Sequence, residues 1–305
     1  MQFTLRQLGY FKALCEQRNF GRAAEVCHVS QPALSTQIRA LEGIMGGELV
    51  ERRARDICLT PLGREVLDLA DSILREAAAL DRVARDQGAG KRSLALGVIP
   101  TIAPYLLPGV LAALRAADLS LTVQVREART ERLLNALQEG ALDVAIMALP
   151  VSVAGLQETA LFEDRFLLAG TGARLAQVGG ADVRPQDLKA NQLMLLEDGH
   201  CLTDQALEVC GLNAGGQGIN MGAGSLGTLS RLVAAGFGLT LMPELSVKSE
   251  CEGAPDLVVQ RFPDPEPARM IGLVRRATTH RADWFQQLAD IVKTTGEEIV
   301  LKSRS

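Results

Sequence analysis

Residues 19–42 have the sequence NFGRAAEVCHVSQPALSTQIRALE, which predicts two short helices joined by a tight turn. In the first half, apolar residues follow the spacing of one helix face, and Asn19 stands before them as a favourable N-cap. Ser30 is placed to cap the second helix. The buried stripe of that helix consists of Leu34, Ile38 and Leu41. The pattern predicts a helix-turn-helix that extends from Phe20 to Arg39.

The outer face of the second helix is small, polar and basic, so no large side chain blocks its approach to another surface. At about 100° per residue, the positions opposite the buried stripe belong to Pro32, Ser35, Thr36 and Arg39. These residues and Gln31 are the candidate contacts to the groove and phosphates of double-stranded DNA.

Residues 49–60 predict a short hairpin after the helix-turn-helix, with Arg52, Arg53 and Arg55 near its tip. A wing at this place brings arginines close to DNA phosphates, whereas the alternative is a solvated charged loop. Residues 1–60 hold eight basic and six acidic residues, a net charge of +2, and the rest of the chain carries −6. A basic head on an acidic body fits a dedicated nucleic-acid-binding domain.

A single long helix is predicted for residues 61–87, after the DNA-binding domain of residues 1–60. Its apolar residues alternate three- and four-residue steps, at Leu62, Val66, Leu69, Ile73, Ala77, Leu80 and Ala84. This heptad seam favours pairing with another helix, most naturally the same helix of a second copy. Glycines and basic residues at 88–92 predict a hinge.

Residues 93–305 alternate predicted strands and helices, which is typical of parallel sheets covered by helices. The length favours two α/β lobes. We place lobe I at about 93–163 and 269–305, and lobe II at about 164–268. The overall prediction is an α/β chain with an all-α winged head.

Six cysteines occur without metal-ligand spacing, so the sequence predicts no metal site. The absence of a long apolar run and of a signal-peptide pattern predicts a soluble cytoplasmic protein with no membrane partner, where most thiols are reduced. Cys201 and Cys210 stand out because a helix between them would hold them roughly 13 Å apart. A disulfide needs Cα atoms within about 7 Å, so oxidation would have to unwind such a helix.

The chain resembles the LysR-type transcriptional regulators. The resemblance rests on residues 20–24, 29–38 and 41–42 of the helix-turn-helix, 49–52 and 59–63 of the wing and linker, and 232–243. It implies a winged helix-turn-helix, a dimerisation linker helix and a two-lobed effector domain like periplasmic binding proteins. It also implies a dimer or tetramer, promoter DNA and RNA polymerase as partners, no cofactor and no enzymatic activity.

Within that family, residues 99–108 and 193–206 resemble the members that sense hydrogen peroxide. By this resemblance Cys201 reacts with peroxide and Cys210 resolves the product as a disulfide, which alters oligomer geometry and the control of oxidative-stress genes. The resemblance assigns the peroxide pocket to Thr101, Thr130, His200, Thr203, Asp204 and Arg276. Thr203 stands where these members are expected to have an arginine.

Two other functions remain open at this stage. A regulator of the same architecture can respond to a small metabolite bound between the lobes, without cysteine chemistry. A thiol enzyme would use Cys201 as nucleophile and His200 as base. Neighbouring residues of a helix point about 100° apart, which places His200 poorly for that role.

Overall fold

The computed structural model describes residues 3–52, 57–89, 92–117, 121–179, 182–197, 199–212, 219–278 and 282–304. The chain forms two compact units, and the boundary along the chain falls between Lys91 and Arg92. Within the described ranges, no helix is both long and apolar enough to cross a membrane.

The first unit contains four helices and a two-stranded antiparallel wing. Its elements are α1 (Leu5–Gln17), α2 (Phe20–Val26), α3 (Gln31–Met45), β1 (Val50–Arg52), β2 (Ile57–Leu59) and α4 (Pro61–Ala89). Asn19 caps α2 by accepting hydrogen bonds from the amides of Gly21 and Arg22, at 2.9 and 3.1 Å. Ser30 caps α3 through the amide of Ala33. The predicted helix-turn-helix and wing are confirmed.

Helix α4 is longer than its prediction. Gly88 and Ala89, the first two residues of the predicted hinge, are helical, and Arg92 already belongs to the next strand. Glycine weakens a helix by only about 1 kcal/mol relative to alanine, so a single Gly88 does not end one of this length. Only residues 90 and 91 separate the elements, and they lie outside the described residues.

The second unit is a mixed α/β domain. Its strands are β3 (Arg92–Val98), β4 (Leu121–Glu127), β5 (Val144–Leu149), β6 (Leu156–Gly170), β7 (Met194–Leu196), β8 (Ile219–Ala223), β9 (Thr240–Pro243), β10 (Val258–Gln260) and β11 (Ala268–Arg276). Its helices are α5 (Ala103–Ala116), α6 (Thr130–Gln138), α7 (Gly172–Gln177), α8 (Cys201–Val209), α9 (Leu226–Ala234), α10 (Glu244–Gly253) and α11 (Ala282–Lys302).

The prediction of parallel sheets is wrong for half of this domain. Strands β3, β4 and β5 are parallel, and so are β7 and β8. By contrast, β6 runs antiparallel to β9, β10 and β11, and β11 runs antiparallel to β5. Strand β6 was not predicted. Its first six residues are partly buried or exposed and its last five are all buried, so neither an alternating nor a continuously buried strand pattern covers its length.

Two separate hydrophobic cores define the two lobes of the second unit. One core contains β3, β5, β11, α5 and the buried face of α11, and the other is built around β7, α8, α9 and β9. Strand β6 passes from one to the other, with Phe162 in the first core and Phe166 in the second. Helix α10 contributes to both, through Leu245 and Val247. The two-lobed prediction is confirmed.

Candidate functional site

Two threonines lie at the same edge of the lobe I sheet. Val98 and Glu127 are register partners in the parallel strands β3 and β4, and Thr101 and Thr130 each follow three residues later. The carboxyl ends of parallel strands meet at one edge, which is where α/β folds bind ligands. The structure therefore places Thr101 and Thr130 at the same edge of the sheet.

Thr101 is buried and is held by an arginine that the sequence analysis did not select. The Nη1 group of Arg269 donates to Thr101 Oγ1 at 3.1 Å, and its Nη2 group donates to the Thr101 carbonyl at 3.3 Å. Arg269 Nε also donates to Asp164 at 2.9 Å, and both side chains of this pair are buried. Burial raises the pKa of Asp164, and the charge of Arg269 opposes that shift. Arg269 is therefore a buried cation in direct contact with Thr101.

Arg276, the basic residue assigned to the pocket, lies at the opposite edge of the sheet. Its Nη1 group donates to the carbonyls of Leu137 and Leu142, at 2.5 and 2.7 Å. Strand β11 is antiparallel to β5, so its first residues lie at the carboxyl end of β5 and its last residues at the amino end. The structure therefore brings Arg269, at the start of β11, to Thr101, and it does not bring Arg276, at the end of β11, to that residue.

The loop before α8 lies against the start of α6. Glu197 forms an ion pair with Arg129, and a Cβ atom on Gly199 would stand 3.0 Å from Arg129 Nη1. Gly199 has a φ of +89°, a conformation that a side chain disfavours. His200, the buried N-cap residue, has its pKa lowered by burial and by Arg129, while Glu197 opposes this shift. The loop before α8 thus contacts Arg129, the residue that precedes α6.

Helix α8 separates the two cysteines. Cys201 is its first residue, is partly exposed and packs against the lobe I core. Cys210 follows its last residue, is 3% exposed and belongs to the lobe II core. Both are free thiols. Burial raises the pKa of Cys210 to about 11. The continuous helix holds them roughly 13 Å apart, so a disulfide requires it to unwind.

The remaining residues of α8 occupy different sides of the helix. Thr203 is buried, and its hydroxyl donates to the Leu196 carbonyl at 3.0 Å. It lies about 200° around the helix from Cys201, so the structure does not bring it to the reactive thiol. Asp204 is exposed one turn after Cys201, and Asp198 lies outside the described residues.

One buried polar atom of α6 and one of α8 have no hydrogen-bond partner among the described residues. They are Thr130 Oγ1 and Gln205 Oε1. Gln205 lies four residues after Cys201, on the same face of α8, and the sequence analysis missed it. The i, i+4 spacing from the cysteine is the pattern that could have identified it. Buried polar atoms without partners are costly, so this site is suited to a small polar guest.

The candidate DNA-contacting residues lie on the outer face of α3. Gln31, Pro32, Thr36 and Arg39 are exposed, and Ser35 accepts a hydrogen bond from Arg39 Nη2 at 3.4 Å. Arg53 and Arg55 of the wing, and the side chain of Arg52, lie outside the described residues.

Helix α4 exposes part of its heptad seam. Val66 is buried in the core of the first unit, whereas Leu69 and Leu80 are 60% and 70% exposed, and Ile73 is also exposed. The predicted seam residue Ala84 has a side chain outside the described set. The face of α4 beyond Val66 is thus an apolar stripe in contact with solvent.

Comparison with known proteins identifies the family. The model of the bacterial regulatory helix-turn-helix protein, LysR family, matches residues 5–64, and that of the LysR substrate binding domain matches residues 87–297. The chain belongs to the LysR family. The first match ends near the start of α4 and the second begins near its end, so this LysR-family chain carries both characteristic domains.

Among LysR-family relatives, the probable hydrogen peroxide-inducible genes activator of Mycobacterium avium is 40% identical, over 95% of this chain and 94% of its own length. The DNA-binding transcriptional dual regulator OxyR of Escherichia coli K12 is 39% identical, over 95% of each protein. A solved cysteine-to-serine variant of Corynebacterium glutamicum OxyR, described as H2O2-bound, shares 35% identity and a TM-score of 0.63, covering 100% of this chain and 97% of that one.

Proposed function

We propose that this LysR-family chain is a DNA-binding transcriptional regulator that senses hydrogen peroxide through Cys201 and Cys210. The observation that carries the proposal is helix α8, which holds the two free thiols at its opposite ends and in different cores. Joining them changes the fold locally, so a chemical event at the thiols becomes a change of shape.

The chemistry proceeds in two balanced steps. The Cys201 thiol loses its proton, the thiolate attacks one peroxide oxygen and the O–O bond breaks; the products are a sulfenic acid and hydroxide, which takes up that proton and becomes water. Cys210 then attacks the sulfenic sulfur, and the second oxygen departs as water while the disulfide forms. Cys201 is the first residue of α8 and therefore lies at the end of the helix where free amides carry partial positive charge.

The polar groups around Cys201 have distinct roles in this proposal. Because Arg269 donates to Thr101 Oγ1, the threonine proton is directed away from Arg269 and is available to a peroxide oxygen. Thr130 Oγ1 and Gln205 Oε1 supply a donor and an acceptor that other described residues do not occupy. Burial and the charge of Arg129 lower the pKa of His200, which favours the uncharged ring in this proposal.

Disulfide formation transmits the reaction to lobe II. Leu202 and Ala206 of α8 are buried in the lobe II core with Cys210, so unwinding α8 removes their contacts and reshapes that lobe. An altered lobe surface changes how the subunits of an oligomer fit together. The pair remains oxidised until a reductant acts, so the protein functions as a stoichiometric switch rather than a turnover enzyme.

On DNA, we propose that α3 enters the major groove and that the wing arginines contact phosphates. The exposed stripe of α4 pairs with the same stripe of a second copy, which predicts a two-fold symmetric operator. The dimer or tetramer acts in the cytoplasm and recruits or repositions RNA polymerase.

The test is a peroxide titration of the reduced protein with mapping of every thiol by mass spectrometry and DNA footprinting of the same samples. We expect one equivalent of peroxide to yield the Cys201–Cys210 disulfide and a changed footprint. Cys251→Ser, which alters a partly exposed cysteine of α10, is the matched control and leaves both results unchanged. Free thiols at both positions after oxidation, or a Cys201→Ser protein that still responds, would favour a metabolite sensor instead.

A further inference from the structure

Asp164 is a buried carboxylate of β6, at the point where this strand passes from the core of lobe I to the core of lobe II. Phe162, two residues earlier, belongs to the first core, and Phe166, two residues later, belongs to the second. Asp164 itself is fully buried. A carboxylate is costly to bury unless it is paired, so the groups that pair with Asp164 indicate its role.

The two oxygens of Asp164 are held from two different elements. Oδ1 accepts a hydrogen bond from the backbone amide of Leu245 in α10, at 2.9 Å. Oδ2 lies 2.9 Å from Nε and 2.8 Å from Nη2 of Arg269, the residue opposite Asp164 in β11. Because both oxygens accept from N–H donors, as an ionised carboxylate does, the orientation of the carboxylate is fixed from two sides.

The pairing with Asp164 determines where the third nitrogen of Arg269 points. The guanidinium group is planar and rigid, so once Asp164 holds Nε and Nη2, the direction of Nη1 is fixed. Nη1 donates to Thr101 Oγ1 at 3.1 Å. Arg269 is itself buried, and a buried guanidinium that loses its charge partner is strongly destabilised. The hydrogen bond to the Thr101 hydroxyl thus depends on Asp164, through Arg269.

We propose, on the basis of the function proposed for Cys201, that Asp164 is a positioning residue for the reaction of this thiol with peroxide. Asp164 directs Arg269 to Thr101. The bond from Arg269 occupies one lone pair of the Thr101 hydroxyl and leaves its proton for a peroxide oxygen. Asp164 therefore acts on the first oxidation step through Arg269 and not by contact with peroxide.

The substitution Asp164→Asn keeps the shape of the side chain and changes its hydrogen bonds. The amide has one acceptor oxygen and one donor group, so either the backbone amide of Leu245 or the guanidinium of Arg269 loses its acceptor. Arg269 also loses its charge partner. We expect Asp164→Asn to slow the first oxidation step about tenfold, which corresponds to one lost hydrogen bond of ordinary strength.

The measurement uses the full-length Cys210→Ser protein, in which the first step is isolated from disulfide formation. The reduced protein is mixed with hydrogen peroxide, and dimedone traps the sulfenic acid at increasing times. Mass spectrometry then gives the amount trapped at Cys201. Glu163→Gln, which neutralises the adjacent exposed acid of β6, is the matched control and is expected to leave the rate unchanged.

A double-mutant cycle with Thr101 distinguishes positioning from a merely structural role. Thr101→Val is expected to slow the first step about tenfold, because the hydroxyl is lost. Adding Asp164→Asn to Thr101→Val should slow it by less than about twofold further, because Arg269 then has no hydroxyl to orient. If Asp164 served only the stability of the fold, the two effects would be independent and would multiply to about a hundredfold.

A second cycle keeps the test decisive if Asp164→Asn alone does not fold. Asp164→Asn/Arg269→Gln removes both charges of the buried pair together, which a fold tolerates better than the loss of one. This protein should react as slowly as Arg269→Gln, within about twofold. Effects that multiply in either cycle, or an Asp164→Asn rate that is unchanged or faster, would overturn the role of Asp164 alone. If the Cys210→Ser protein forms no sulfenic acid at Cys201, the proposed function is overturned as well.

Discussion

The two ends of helix α8 present opposite environments for the same side chain. At the first end, Cys201 is partly exposed and follows the loop in which Glu197 pairs with Arg129. At the other end, Cys210 is buried among the apolar residues of lobe II, and its thiol resists ionisation. A small oxidant can therefore reach only the first cysteine. Burial thus sets the order in which the two cysteines react, and the intact helix between them delays the second step.

The largest expected effect comes from removing one thiol at a time. Cys201→Ser should abolish both sulfenic acid and disulfide, because the reactive end of α8 is lost. Cys210→Ser should still form the sulfenic acid and should accumulate it, because the resolving thiol is absent. Trapping with dimedone and mass spectrometry distinguishes the two. Accumulation of sulfenic acid on Cys210 in the Cys201→Ser protein would reverse the proposed order.

The pH dependence of the second step tests whether Cys210 reacts from its buried position. In the intact helix the raised pKa, about 11, keeps this thiol protonated at neutral pH. Once α8 unwinds, its pKa returns to about 8.5, so disulfide formation should rise about 25-fold from pH 7 to 9 and then level off. Stopped-flow measurement after a peroxide pulse gives this profile. A rate that keeps rising to pH 11 would show that Cys210 reacts without unwinding.

Two valine substitutions distinguish an effect on peroxide binding from an effect on the stability of the folded protein. Thr130→Val should slow the first step about tenfold because a peroxide contact is lost, while the free energy of unfolding stays unchanged or rises by about 1 kcal/mol. Thr203→Val should lower the free energy of unfolding by about 1 kcal/mol, because the bond to Leu196 is lost. Peroxide kinetics and urea unfolding measure both. The assignment fails if Thr203→Val slows oxidation more than Thr130→Val does.

The smallest expected effect concerns the helix between the two ends. Glu208 is exposed on α8, so Glu208→Gly and Glu208→Ala change helix propensity with little effect on packing. Glycine and alanine differ by about 1 kcal/mol, so the glycine variant should form the disulfide about fivefold faster than the alanine variant. The rate of the first step serves as the internal control. Equal disulfide rates in the two variants would mean that unwinding does not limit the reaction.

Much of the first unit could be predicted from local patterns. Asn19 and Ser30 are helix caps by residue type, and the stripe of Leu34 and Ile38 follows from helical spacing. Such features depend on neighbours within one or two turns, which the sequence lists in order. In the second unit, strand β6 was not predicted, because its two halves pack against different cores.

The candidate site was predicted only in part, for the same reason. Thr101, Thr130, His200 and Cys201 belong to recognisable segments, and the structure gathers Thr101 and Thr130 at one sheet edge and the loop before α8 beside Arg129. Which of Arg269 and Arg276 lies at Thr101 depends on the direction of β11. The position of the Thr203 side chain depends on which side of α8 faces Leu196. Neither is a property of neighbouring residues.

By itself, the sequence determined the family, the helix-turn-helix and the nine-residue spacing of Cys201 and Cys210. Only the tertiary structure decided that this spacing is helical, that one thiol faces a polar edge and the other a core, and that Arg269 holds Thr101. The physical reason is range: capping and helical periodicity act within a few residues, whereas burial and charge pairing arise from residues that the fold brings together from distant positions.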